Sequence, residues 1–270
     1  MRIAHLINPV NTGPGSDLLA AQPITFETMR RARAASRPEI PVDLLVTGYP
    51  EDRPVFPEDF TVTEDLDRSV LNTGAFQVPR KLPLLKDLLK RLYEGSTAEW
   101  LVFTNSDIAV MPGFYSGLAA LIVEGYDAFV VNRRTIPSRW TKIGDIPRMQ
   151  AEVGEPHKGY DCFIFSREMA LEFQLGDVCV GAPWVGRVLL ANLVARARRF
   201  REFRNLHLTF HLGNDKSWRN PLLRDYQDHN WKEYMKIFPD LEAGAPRFRD
   251  PLWRSYLTNA GKQRDFPEFD

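Results

Sequence analysis

The stretch Ala98 to Tyr115, AEWLVFTNSDIAVMPGFY, is the one on which the reading of the fold turns. Trp100, Leu101, Val102 and Phe103 make an apolar run of aromatic and branched residues, too short for a helix, and read as a buried strand. Thr104, Asn105, Ser106 and Asp107 follow at once, and Ile108, Ala109 and Val110 return to apolar before a break at Pro112-Gly113. A carboxylate and an amide at the tip of a central strand stand beyond the strands' carboxyl ends, where open α/β sheets bind ligands. Asn, Ser and Asp also favour plain turns, because they bond their own backbone. The flanking segments therefore decide between the two.

Upstream, Ile3 to Ile7 reads as a first strand ending at Asn8-Pro9, Gln22 to Ser36 as an amphipathic helix stopped by Pro38, and Val42 to Val46 as a second strand. Strand, helix, strand opens a parallel sheet. The loop Asn11 to Ser16, NTGPGS, has neither the Gly-Lys-Ser/Thr ending of a phosphate loop nor the spacing of a dinucleotide fingerprint. Phe60 to Val62 is a short third strand after a proline-rich segment. Leu84, Leu85, Leu88, Leu89 and Leu92 recur at three- and four-residue intervals, so Pro83 to Tyr93 is a helix with one buried face. Arg80 and Lys81 stand before its start, where unpaired amides and the helix dipole also attract a phosphate.

Downstream, Phe114 to Glu124 is read as a helix and Tyr126 to Val131 as a strand with another polar tip, Asn132-Arg133-Arg134. Two adjacent arginines there suit a diphosphate, which accepts hydrogen bonds bidentately. Thr135 to Pro156 has little periodicity and reads as a long lid or binding loop. His157 to Asp161 leads into a strand at Cys162 to Phe165, followed by helices at Arg167 to Phe173 and Pro183 to Phe200. The second helix ends in a basic run, Arg196, Arg198, Arg199, Arg201 and Arg204, read as a solvated, ion-paired helix end. In Asn205 to Trp218, NLHLTFHLGNDKSW, the alternation of Leu206, Leu208 and Phe210 with His207, Thr209 and His211 is that of a strand turning both histidines to one face. His211 at the strand's end suits manganese or magnesium in company with a carboxylate and phosphate oxygens.

Composition narrows the function classes. The 270 residues, 44% hydrophobic and 26% charged, suffice for one large core. Thirty-five basic residues balance thirty-five acidic ones, so no overall field draws the chain to nucleic acid or anionic lipid. Cys162 and Cys179 lie in or beside apolar segments and read as small buried residues, which fits a reducing, cytoplasmic setting, peripheral at most to the inner face of a membrane. MRIAHLINPV lacks the apolar run of a secretory leader, and no transmembrane segment is expected.

Taken together, the apolar strand running into Asn105-Ser106-Asp107, the MPGFYSGL step into a helix, the strand ending in Asn-Arg-Arg, the Gly-Tyr-Asp before another strand and the late His-Leu-Gly-Asn-Asp resemble a GT-A-fold, nucleotide-sugar-dependent glycosyltransferase. The resemblance implies a single GT-A-like, Rossmann-like α/β domain over residues 1–219. Its central sheet would be mixed, mostly parallel and flanked by helices, with residues 220–270 as an aromatic-rich extension packed on it. It implies Asp107 and His211 as ligands of a divalent Mn2+ or Mg2+ ion. Asn8, Pro9, Lys81, Asn105, Ser106, Arg133, Arg134 and Lys216 would lie along a UDP- or GDP-type sugar donor, and the acceptor would be a glycan or other hydroxyl compound. The motif departs from its family at the first acidic position, here Asn105, which lowers the charge available to an ion.

Cleaving the bond from a sugar's anomeric carbon to a nucleoside diphosphate builds negative charge on the leaving group, which a cation must stabilise. An inverting enzyme also needs a base for the acceptor's proton. Asp161 is the first candidate and His157 the second. A sugar nucleotidyltransferase or a non-catalytic nucleotide- or glycan-binding relative are the alternatives, the latter because of Asn105. The aromatic residues after Asn220 are read as pinning the extension to the domain through buried area.

Overall fold

A computed structural model describes residues 1–157, 159–213 and 221–258. In chain order the elements are β1 (Ile3–Ile7), α1 (Leu18–Ala34), β2 (Val42–Val46), β3 (Thr61–Val62), α2 (Leu85–Glu94), β4 (Trp100–Thr104), β5 (Ala109–Val110), α3 (Phe114–Val123), β6 (Ala128–Val131), β7 (Arg134–Ile136), α4 (Ile146–Ala151), β8 (Glu155–Pro156), β9 (Cys162–Ser166), α5 (Arg167–Ala170), α6 (Val185–Arg196), β10 (Phe200–Phe203), β11 (Thr209–Leu212), α7 (Arg224–Gly244) and α8 (Pro251–Thr258).

A seven-stranded sheet runs in the order β10-β6-β9-β4-β1-β2-β3. Parallel pairs join β1 to β2 and β4, β2 to β3, and β10 to β6, whereas β9 is antiparallel to both β4 and β6. The expected mixed, mostly parallel α/β sheet flanked by helices is what the chain forms. All five residues of β1 are buried, because helices cover both faces of a parallel sheet. On one face α2 buries Leu85, Leu88, Leu89 and Leu92, with α6 beside it; on the other, α1 and α3 bury Met29, Phe114 and Leu118. A smaller sheet, β5-β11-β7-β8, hangs from the end of β4. Its strands of two to four residues draw Ile146 and Met149 of α4 into a small core with Ile24 of α1.

Several expectations need correction. The loop read at Thr135 to Pro156 contains β7, α4 and β8. The helix read from Pro183 to Phe200 ends at Arg196, because the Asp127 carboxylate accepts from the amides of Arg198 and Arg199 at 2.9 and 2.8 Å and the chain turns there. Phe200–Phe203 then pairs with β6 as an edge strand, so Arg201 and its neighbours lie on a sheet edge and not on a helix end. His207 has φ +50° and precedes β11, so the two histidines do not share one strand face. The helix α1 begins at Leu18, earlier than Gln22, and accommodates Pro23 near its start.

The C-terminal segment completes the main core. Tyr234, Phe238 and Leu241 of α7, with Phe248, Trp253 and Leu257, are buried against α6 and the sheet. Cys162 and Cys179 are both buried and unpaired. No helix among the described residues is long and apolar enough to cross a membrane.

Candidate active site

The carboxyl ends of β4 and β6 and the start of β9 lie together, since β9 runs antiparallel between them with Thr104 opposite Cys162 and Val130 opposite Phe163. Residues just past β4 and β6 and just before β9 therefore share one rim. They are Asn105 to Asp107, Asn132 and Arg133, and Tyr160 and Asp161.

At the first of these positions the chain turns with the Ile108 amide donating to the Asn105 carbonyl at 3.2 Å. Asp107 is delivered to the rim and Ser106 is buried beneath it. The next two residues, β5, pair antiparallel with β11, Ala109 opposite Phe210, and this pairing carries His211 back to Asp107. Nε2 of His211 lies 3.1 Å from Asp107 Oδ2, and its Nδ1 lies 2.9 Å from the Gly213 carbonyl. Both ring nitrogens face acceptors, an arrangement that the doubly protonated imidazolium satisfies. Burial alone would lower the histidine's pKa, but the hydrogen bond and charge of Asp107 together raise it. For Asp107 burial works upward and is outweighed by the His211 bond and by the charges of His211 and Arg133, leaving its pKa below the usual carboxylate range.

This pair also fits a divalent ion. Asp107 Oδ1 is buried with no hydrogen-bond partner among the described residues. A His211 tautomer donating Nδ1–H to a carbonyl would leave Nε2 as a ligand atom, the usual support for a metal-bound histidine. The Nε2 proton and an ion would then be alternatives at one place. Among the described residues no group of three or more His, Cys, Asp or Glu side chains converges on one point, so an ion here would need oxygens from a ligand or solvent to complete its shell.

On the other side of the rim, Arg133 Nη1 meets Asp161 Oδ2 at 2.7 Å, with side chains only 11% and 12% exposed. The contact is not a completed hydrogen bond: Asp161 Oδ2 and Arg133 Nε are both buried with no hydrogen-bond partner among the described residues. The main chain around them is pinned. The His157 amide donates to the Arg133 carbonyl at 3.1 Å, and Asn132 Nδ2 donates to Glu202 at 2.7 Å and to the His157 carbonyl at 3.3 Å. Burial, with the positive charge of Arg133, lowers the His157 pKa and keeps its imidazole neutral. Its ring rests on Gly159, where a Cβ would fall 2.8 Å from Cδ2.

The structure separates the other expected site residues. Arg134 projects away from Arg133, as neighbours in extended chain do, and its Nε donates to the Val153 carbonyl at 2.8 Å. Asn8 donates to the Thr47 carbonyl at 2.8 Å, joining the ends of β1 and β2, with Pro9 buried behind it. Lys81 pairs with Glu51 at 2.5 Å, its ammonium 4.0 Å from the centre of the Tyr49 ring. Asn8 and Lys81 thus flank the carboxyl end of β2, along the same sheet end as Asp107. Lys216 lies outside the described residues. Sequence reading quoted Asn132 and Tyr160 inside their motifs without giving either a role, and passed over Glu202; the Tyr160 hydroxyl is buried with no hydrogen-bond partner among the described residues. A polar residue at each strand tip was the available signal for Asn132; nothing local marks Glu202.

No family model matches the chain, and no curated protein matches it. Among solved structures it is similar to that of S. aureus TarS residues 1–349 in complex with UDP-GlcNAc, at 9% identity over 95% of this chain and 75% of that one with a TM-score of 0.47. The same protein in complex with UDP matches at 9% identity over 94% and 75%, TM-score 0.49. A further S. aureus TarS structure matches at 10% identity over 92% of this chain and 45% of that one, TM-score 0.46. At such identities the function has to be argued from the rim itself.

Proposed function

We propose that the protein is a glycosyltransferase that moves a sugar from a nucleoside-diphosphate donor of UDP or GDP type to the hydroxyl of a glycan or other acceptor. One observation carries the reading: Asp107 and His211, 104 residues apart, are in contact on the same rim as the Arg133–Asp161 pair. Two carboxylates, an arginine and a histidine at the carboxyl ends of a mostly parallel sheet are what transfer from a diphosphate needs.

In this reading the acceptor's O–H proton passes to Asp161 while its oxygen bonds to the anomeric carbon. The bond from that carbon to the diphosphate breaks, and its electron pair leaves with the diphosphate oxygen. Attack opposite the leaving group inverts the anomeric centre. Arg133 offers the diphosphate planar, bidentate donors. A manganese or magnesium ion held by Asp107 and His211 would add positive charge beside the leaving group. Asn105 and Ser106 border the donor, and Asn8 and Lys81 lie toward its nucleoside end.

The test is incubation with a panel of nucleotide sugars, with and without manganese. Donor hydrolysis or transfer supports the reading. Pyrophosphate-dependent exchange of nucleotide would make the protein a nucleotidyltransferase instead, and tight nucleotide binding with no turnover would make it a non-catalytic binder.

A further inference from the structure

Arg133 is held in a contact that leaves both partners short of hydrogen bonds. A guanidinium has five N–H donors, and burying it beside a carboxylate is repaid when those donors are bonded. Here Nε is buried with no hydrogen-bond partner among the described residues, and the 2.7 Å approach to Asp161 completes no hydrogen bond at Oδ2. The backbone on each side is fixed by the His157 amide and the Asn132 side chain, so rearrangement falls to the Arg133 side chain. Asp161 Oδ2 is buried against the guanidinium, so an acceptor hydroxyl reaches that oxygen only when Arg133 moves aside.

We propose that Arg133 exchanges partners: it covers Asp161 Oδ2 in the free protein and turns to the donor's diphosphate when that is bound, uncovering that oxygen for the acceptor. This rests on the glycosyltransferase reading given above. A diphosphate offers the guanidinium two parallel charge-assisted bonds in place of one poorly aligned contact. Proton acceptance at Asp161 would thereby wait for the donor, and the acceptor hydroxyl would bind second. No atom is gained or lost in the exchange, and the proton transfer that follows is the one already written, from acceptor oxygen to Asp161.

Calorimetric titration of UDP and of GDP, with manganese chloride present, tests the exchange in the wild-type chain, Asp161→Asn, Arg133→Gln and the double variant. If Arg133 must leave Asp161 to reach the diphosphate, Asp161→Asn tightens nucleotide binding about tenfold, and the gain disappears in the Arg133→Gln background. A merely structural ion pair would instead leave affinity unchanged or weaken it, and either result overturns the inference. Asp161→Ser provides a second variant should the asparagine fold poorly, with melting temperature as the control. Absence of wild-type binding to either nucleotide would remove the functional reading and this inference together. Binding without the gain removes the inference alone.

Discussion

His211 Nε2 and Asp107 Oδ2 lie 3.1 Å apart because two residues of β5 pair with β11, so a very short ladder brings a mid-chain turn and a late strand to one point. That economy makes the contact a sensitive place to intervene. Asp107→Asn keeps the shape and removes the charge. It is expected to weaken manganese-dependent UDP or GDP binding by about a hundredfold, as loss of a ligand or its support does in metal sites. Titration with and without manganese checks this, and equal affinities for variant and wild type in both conditions would exclude Asp107 as a ligand.

The two adjacent arginines are expected to behave differently. Arg134→Met removes one hydrogen bond to the Val153 carbonyl, a loss of about 1 kcal/mol in stability. It should leave nucleotide affinity within about twofold, as substitutions away from a binding site do. Denaturant unfolding and titration of the same sample read both effects. A large affinity loss would put Arg134 on the donor after all.

Much of the fold was legible because its strands are long enough to carry a pattern. IAHLI, VDLLV and WLVFT are continuous apolar or alternating runs bounded by polar residues, and the leucine spacing of α2 specifies its buried face. The smaller sheet was not legible, since strands of two to four residues show no period. β10 was hidden for another reason. Its arginines extend the composition of α6, and only the Asp127 carboxylate, distant in sequence, stops the helix before them. At the site, polar strand tips marked Asp107, Arg133 and Asp161. Which of two adjacent arginines faces the rim depends on the pleat, and the sequence pattern does not show it.

His5 makes acid stability a test of the core under the rim. Its ring is fully buried, with Nδ1 3.0 Å from the Tyr115 hydroxyl and Nε2 2.9 Å from Thr104 Oγ1, directly beneath the start of the motif. Burial lowers its pKa from 6.5 to about 3. Between those values the unfolded chain binds a proton that the folded chain refuses, so stability falls as pH drops through 6.5 and goes on falling toward 3. The slope from this one group approaches about 1.4 kcal/mol per pH unit. Urea unfolding between about pH 4 and about pH 6, inside that interval, should show a shallower dependence in His5→Gln than in the wild type, on top of a lower stability at neutral pH. Parallel slopes would mean that His5 is protonated in the fold.

Gly159 separates the two candidate bases. Its missing Cβ would collide with His157 Nε2 and fall 2.8 Å from Cδ2, and the clashing group is the end of a side chain that can rotate. Gly159→Ala should therefore move the His157 ring while leaving the Arg133–Asp161 contact in place. If Asp161 takes the acceptor's proton, transfer falls by less than about tenfold in Gly159→Ala and by about a hundredfold or more in Asp161→Asn, the range expected for loss of a general base. Turnover at saturating donor and acceptor, with circular dichroism to show that both variants fold, decides the matter. Equal losses, or the larger one in Gly159→Ala, would transfer the role to His157, whose lowered pKa keeps a neutral imidazole ready to accept a proton at pH 7.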